Sequence, residues 1–149
     1  MHIPAKVDYG IRAALCLIAD APKTADAIAV EQDIPRRFLG SILGDLRRGG
    51  IVASRRGNDG GYRLARPPDT ISLADVIRVL DGPLAEVRGL RPESAHYDGP
   101  ARQLQQVWVA VRANLRQVLE VISLADVGAG ELPQSVLALT ADPDSWQSR

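Results

Sequence analysis

Cys16 is the only cysteine in this 149-residue chain, so no disulfide can form within it. A lone thiol fits a reducing compartment, and a cytoplasmic protein is expected. Histidine is nearly as scarce, at two residues. Without a nucleophile, base and orienter set, a convergent acidic motif or metal-ligand spacing, no enzyme is expected. No run of about 18 or more apolar residues occurs, so no membrane span is expected. The start, Met1-His2-Ile3-Pro4-Ala5-Lys6, lacks the apolar stretch of a secretory signal. Net charge is missing too: 18 basic residues meet 18 acidic ones. Taken alone, that balance argues against a polyanionic partner.

The distribution of charge argues the other way. Residues 1–66 hold eleven Lys and Arg against seven Asp and Glu, and residues 67–149 hold seven against eleven. Within residues 36–66, eight Arg face only Asp45 and Asp59, a local balance of +6. A basic block on a neutral chain is the footprint of a localised polyanion site, although scattered Arg on a solvated surface would give the same count. Hydrophobic residues make up 46% of the chain, enough for one compact core plus an interaction helix.

Apolar spacing predicts a first helix over 6–20, with Val7, Ile11, Ala14, Leu15 and Ile18 on one face. Thr24 is placed to cap a second helix through Gln32, and Pro35 to open a third. In that third helix Phe38, Leu39, Ile42, Leu43 and Leu46 read as one apolar face, stopped at Gly49-Gly50. Two short strands follow, Ile51–Ser54 and Tyr62–Ala65, around the glycine-rich loop 55–61. Ser72-Leu73-Ala74-Asp75 reads as a capping box opening a further helix, and Ser123-Leu124-Ala125-Asp126 repeats it. Residues 83–100 read as loop. A long helix is predicted over 101–123, with Leu104, Trp108, Val111, Leu115, Val118 and Ile122 at alternating steps of four and three, a heptad seam suited to a second copy of the chain. An intrachain core helix would show the same pattern. The last ten or so residues read as a frayed tail in which Trp146 could dock.

Three helices followed by a hairpin, within about 65 residues, is the order of a winged helix-turn-helix. The fold expected is mainly α with a small β-hairpin wing and a long dimerisation helix. The third helix would enter a major groove, with Arg36 and Arg37 in its first turn and Ser41 one turn on. The wing carries Arg55, Arg56 and Asn58, suited to a minor groove or to phosphates. Lys6 could anchor a phosphate, and Tyr9 either a phosphate or the core. Gly40 and Gly44 each cost about 1 kcal/mol against Ala within a helix. Close approach of a DNA backbone and tight packing on another helix are both adequate reasons. A nucleotide-binding loop is not supported, since Gly57-Asn58-Asp59-Gly60-Gly61 leads into a strand and no Gly-Lys-Ser/Thr follows.

Four segments carry a resemblance: KVDYGIRAALCLIAD, IPRRFLGSILGDLRRGGIV, the wing-to-helix stretch SRRGNDGGYRLARPPDTISLADVIRVLDGPL, and VWVAVRANLRQVLEVISLADV. From about residue 5 to 130 the chain resembles the Rrf2 family of bacterial transcription regulators, which includes iron–sulfur-sensing, nitric-oxide-sensing and cysteine-metabolism repressors. The resemblance implies a winged-helix domain, a long helix swapped against a partner chain, and near-palindromic operators. It also implies DNA contacts from the residues matching Arg37, Gly40 and Arg56. At Gly40 many members carry a Glu that helps read a base, and this chain departs from them.

A second departure concerns sensing. Iron–sulfur members bear three cysteines between the helix after the wing and the long helix, and residues 82–103 contain none. No iron–sulfur cluster or other cofactor is expected. His96 with Glu93 and Asp98 could ligate a metal or be merely solvated. Arg88 and Arg91 could bind an anionic effector of unknown identity or offset nearby acids. The expected organisation is a DNA-binding domain over 1–82, a loop over 83–100, a dimerisation region over 101–130 and a tail over 131–149. The expected function is a homodimeric, sequence-specific regulator of double-stranded DNA, acting as a repressor. The alternatives are a protein-interaction adaptor on the same scaffold and a regulator gated by a metal or cluster with non-cysteine ligands.

Overall fold

In the first third of the chain, local caps set where each helix begins and ends. The computed structural model describes residues 1–148, whose regular elements are helices apart from a two-stranded hairpin. First come α1 (Ala5–Leu15), α2 (Ala25–Gln32) and α3 (Arg36–Arg48). The Thr24 hydroxyl accepts from the Ala27 amide at 3.1 Å and caps α2. Asp33 closes that helix in the left-handed region, at φ 50°. The strands β1 (Val52–Arg55) and β2 (Gly61–Leu64) pair antiparallel, with Val52 opposite Leu64 and Arg55 opposite Gly61. Then follow α4 (Leu73–Asp81), α5 (Leu104–Leu119), α6 (Leu124–Ala129) and α7 (Gln134–Thr140). This is the mainly α architecture with a hairpin wing that the pattern predicts.

The core joins α1, α3 and α4. Val7, Ala13 and Ala14 of α1 meet Leu39, Ile42, Leu43 and Leu46 of α3, and Val76, Ile77 and Leu80 of α4. Burial of each large aliphatic side chain contributes about 1.5–3 kcal/mol. Gly10 is what lets α1 lie so close to α4: a Cβ there would stand 2.1 Å from Leu80 Cδ1.

The two Ser-Leu-Ala-Asp sequences lie side by side. Each forms a complete capping box, Asp75 with Ser72 and Asp126 with Ser123. Their backbones pair antiparallel: Leu73 N–H donates to the Ile122 carbonyl at 2.9 Å, and Leu124 N–H to the Ile71 carbonyl at 2.9 Å. Ile71 and Leu124 are fully buried beneath this bridge. The chain after α5 is thereby returned to the N-terminal core, where α6 packs on α1.

Several boundaries differ from expectation. The first helix ends at Leu15, not residue 20, and the Leu17 amide folds back to the Ala14 carbonyl, which buries Leu17. The long helix spans Leu104–Leu119, not 101–123. A 3-10 turn at Gly99–Ala101 precedes it, and beyond Glu120 the backbone must extend to pair with α4's start. Ile122 therefore lies outside the helix, 5% exposed, and its place at the end of the seam is corrected. Phe38 leaves the apolar face of α3 and is 44% exposed. The C-terminal residues form α7 and a 3-10 turn at Pro143–Trp146, where Trp146 Nε1 donates to the Thr140 carbonyl at 2.8 Å.

The Ser123→Ala protein is expected to lose about 1 kcal/mol of unfolding free energy in urea denaturation at neutral pH. Hydrogen bonds from the Ser123 hydroxyl and amide hold the Asp126 carboxyl below the usual range. Such a depressed group stabilises fully above its unfolded value, and the contribution is lost as pH falls through the lowered one. Asp126→Asn should therefore flatten the acid limb of the stability curve, and an unchanged limb would contradict this role.

Candidate nucleic-acid interface

At about 100° per residue, α3 divides into two faces. Leu39, Ile42, Leu43 and Leu46 point into the core, while Arg36, Arg37, Gly40, Ser41, Arg47 and Arg48 are exposed along the other side. A Cβ at Gly40 would meet nothing nearer than Arg36 Nη1 at 3.7 Å, and one at Gly44 nothing nearer than Arg48 Nη1 at 3.4 Å. No helix of this chain packs on either glycine, which removes intrachain packing as their reason.

Acidic residues tie down part of the basic set. Arg36 Nε donates to Asp26 Oδ1 at 2.5 Å, linking the start of α3 to α2. Lys6 Nζ sits 2.7 Å from Asp45 Oδ2, linking α1 to α3, and Arg48 pairs with the same carboxylate. The Lys6 hydrogen bond, with Arg48 beside it, holds the Asp45 carboxyl below its ordinary range. Arg37, Arg55 and Arg56 make no ion pair with any described residue. They are open to an outside anion, as are Arg47, bonded only to a hydroxyl, and Arg63 on β2.

Phe38 was not a candidate on sequence grounds, yet it organises this surface. The Arg37 guanidinium lies 4.7 Å over its ring, and Tyr9 stacks on it at 6.5 Å between centroids. Together with Lys6 and Ser41 they line a hollow of about 340 Å³. Rings below and cations at the rim suit a sugar–phosphate backbone, with the sugar on the rings and the phosphate on the guanidinium. The available signal was Phe38's place one step, about 100°, from Leu39, at the edge of the apolar face and next to Arg37.

The wing is fixed relative to α3. Lys23 and Tyr62 exchange two backbone hydrogen bonds, at 2.9 and 2.7 Å, which pin β2 to the segment before α2. Arg47 Nη1 donates to Ser54 Oγ at 3.3 Å. The tip turns at Gly57, φ 110°, and Gly60 has no room for a Cβ, which would stand 2.2 Å from the Arg55 carbonyl oxygen. Arg55, Arg56 and Asn58 are exposed on this loop.

The predicted seam on α5 is split by the fold. Leu104 and Val111 are exposed, at 37% and 44%, and Val107, outside the seam, is exposed at 47%. Trp108, Leu115 and Val118 are half-buried, and Trp108 Nε1 donates to the Tyr97 hydroxyl at 3.1 Å. The uncovered stripe thus runs along Leu104, Val107 and Val111, rotated from the heptad line.

Other candidates are placed apart from the basic surface. Glu93 is paired with Arg112, and no three His, Cys, Asp or Glu among the described residues are grouped to hold a metal. Arg88 lies 5.5 Å over the Tyr97 ring. Arg91 faces a cleft with Arg112. No described helix is long and apolar enough to cross a membrane.

Residues 3–130 match the Rrf2 family model, described as an iron-dependent transcriptional regulator. The chain belongs to the Rrf2 family. It is similar to a protein of Mycobacterium tuberculosis strain H37Rv named as an HTH-type transcriptional regulator, 46% identical over 99% of this chain and 94% of the relative. It is also similar to the HTH-type regulator CymR of Bacillus subtilis, 32% identical over 87% of this chain and 91% of that one. The solved structure of CymR, the global cysteine regulator of B. subtilis, superposes with a TM-score of 0.72 at 30% identity over 87% of this chain and 97% of that one. T. potens IscR superposes with a TM-score of 0.68 at 28% identity, covering 100% and 93%. As an Rrf2-family member the chain is a DNA-binding transcriptional regulator and not an enzyme.

The family's description names iron, and the residues present do not fit it. Thiolates are the usual ligands of an iron–sulfur cluster. The one thiol, Cys16, is 6% exposed, and burial pushes its pKa up, which keeps it protonated. The loop before α5 has no cysteine, and Glu93 there is held by Arg112.

Gly40→Ala tests the openness of the recognition face. Unfolding free energy should rise by about 1 kcal/mol in urea denaturation. A loss of stability would mean that packing within this chain needs the glycine.

Proposed function

We propose that this Rrf2 protein is a homodimeric repressor whose two winged-helix heads bind the half-sites of a near-palindromic operator, without a resident iron–sulfur cluster. The observation that carries the reading is that Arg37 on α3 and Arg55 and Arg56 on the wing are all exposed and without ion-pair partners among the described residues. An α-helix fits a major groove while a basic hairpin tip follows the adjacent phosphates or minor groove. The exposed stripe Leu104, Val107 and Val111 on α5 supports pairing with a second copy, because an apolar helix face left in water is unfavourable. Twofold pairing would set the half-sites about one helical turn apart. A dimer seated across a promoter represses by excluding polymerase. The protein then acts in the cytoplasm, on the chromosome.

In fluorescence anisotropy against the DNA upstream of its own gene, binding should be sequence-preferring and should weaken steeply with salt. Arg56→Ala and Arg37→Ala should each weaken it by about tenfold or more and, for a phosphate contact, lower the salt slope by about one. Their far-UV circular dichroism should remain that of the parent. Equal affinity for the variants would remove those residues from the interface.

Val111→Asp places a charge in the middle of the apolar stripe. Light scattering should show a dimer for the parent and a monomer for the variant, with operator affinity falling in parallel. A monomeric parent would refute the dimer.

A further inference from the structure

A cleft of about 570 Å³ lies between α4, α5 and the segment joining them. Its volume is in the range of small-molecule sites, about 300–1,000 Å³. Four arginines line it: Arg78 from α4, Arg91 from the connecting segment, and Arg112 and Arg116 from α5. The one acidic residue in the lining is Glu93. Arg112 pairs with Glu93, and Arg78 and Arg116 share Glu120 just outside the lining. Arg91 has no ion pair among the described residues. Gly82, Pro83, Leu84 and Ala85 supply an apolar wall.

This charge count is unusual for a chain whose second half is otherwise acidic. Residues 67–149 carry a surplus of four acids, yet here four guanidinium groups meet three carboxylates, those of Glu93, Glu120 and Asp75. Like charges this close are held together at a cost that a bound anion removes. Guanidinium forks match carboxylate and phosphate oxygens in pairs. The site also lies where a signal would be useful. α4 packs on both α1 and α3, so the cleft joins the back of the DNA-binding head to the helix that bears the apolar stripe.

We propose that this cleft binds a small anion with two or more negative charges, carboxylate or phosphate, that bridges Arg78 of α4 to Arg91 and Arg112 and thereby sets the position of α5 against the head. The binding site stands on the geometry alone; its effect on DNA rests on the function proposed above.

The test is isothermal titration calorimetry at constant ionic strength with four probes: citrate, 2-oxoglutarate, phosphoenolpyruvate and pyrophosphate. Acetate serves as the monovalent control. At least one multivalent probe should bind saturably at one site per chain, with the carboxylates and phosphates ranked by their separate isotherms. Arg91→Ala, which breaks no ion pair, should weaken that probe by about tenfold or more, as expected for loss of a paired charge-assisted contact. Arg102→Ala, a basic change outside the cleft, should leave it unchanged. Saturable binding by none of the four, or equal weakening by both variants, overturns the site. Operator anisotropy with and without the bound probe is the second arm, in which affinity should shift at least about fivefold. A bound probe with no shift overturns the coupling. Operator binding without probe binding rejects the cleft and leaves the proposed function standing, while probe binding without operator binding does the reverse.

Discussion

One short backbone pairing fixes how the chain after α5 returns to the reading head. The amides of Leu73 and Leu124 donate to the carbonyls of Ile122 and Ile71, and the two Ser-Leu-Ala-Asp helix starts are thereby locked side by side. Two capping boxes satisfy the amides of Ser72, Asp75, Ser123 and Asp126 at the same place, so most first-turn donors of this pair of helix ends are engaged. Because α5 runs directly into Ile122, this pairing fixes where α5 leaves the core and which of its faces remains open. The rotation of the apolar stripe from the heptad line, and the arginine cleft between α4 and α5, are both consequences.

A second constraint organises charge. The chain is neutral overall, yet its head offers cations to the outside. Asp26 and Asp45 manage this by engaging Arg36, Lys6 and Arg48 in ion pairs that link α2 and α1 to α3. Exposed pairs of this kind contribute little stability, about 0–1 kcal/mol each, so their main consequence is geometric. They hold the recognition helix in register and leave Arg37, Arg55 and Arg56 uncommitted. A phosphate can meet those three without displacing a carboxylate, whereas Lys6 and Arg48 share Asp45.

Much of this was legible in the residues, for local reasons. Thr24, Ser72 and Ser123 announce helix starts through their own side chains, and each cap is present. The wing was readable because its glycines have conformational duties, as Gly57 and Gly60 show. What could not be read were the effects of distant partners. Phe38 fits an apolar periodicity, and only the packing of α1 shows that it stacks on Tyr9 at the surface instead. Ile122 fits the heptad, and only its pairing with Leu73 ends the helix before it. Helices α6 and α7 are short, and α7 has no side-chain cap to announce it. The repeated tetrapeptide was visible, but a one-dimensional pattern cannot say that two like helix starts will meet.

The loop before α5 is where the family's iron description and this chain part company, and its contacts show what has taken the place of ligands. The Glu93 carbonyl accepts from Gln105 Nε2 at 2.8 Å, the Glu93 carboxylate pairs with Arg112, and the Tyr97 hydroxyl accepts from Trp108. These contacts join the loop to the stretch of α5 from Gln105 to Arg112, alongside Val107 and Val111. The other end of α5 is anchored to the head through Ile122. The helix is thus held at one end by backbone pairing and at the other by two neutral hydrogen bonds and one ion pair. An exposed ion pair contributes about 0–1 kcal/mol and can be exchanged for a competing anion. In the coupling proposed above, a change of charge in the loop would reach the recognition helix through α5, the element that joins the Glu93–Arg112 pair to the Ile122 bridge.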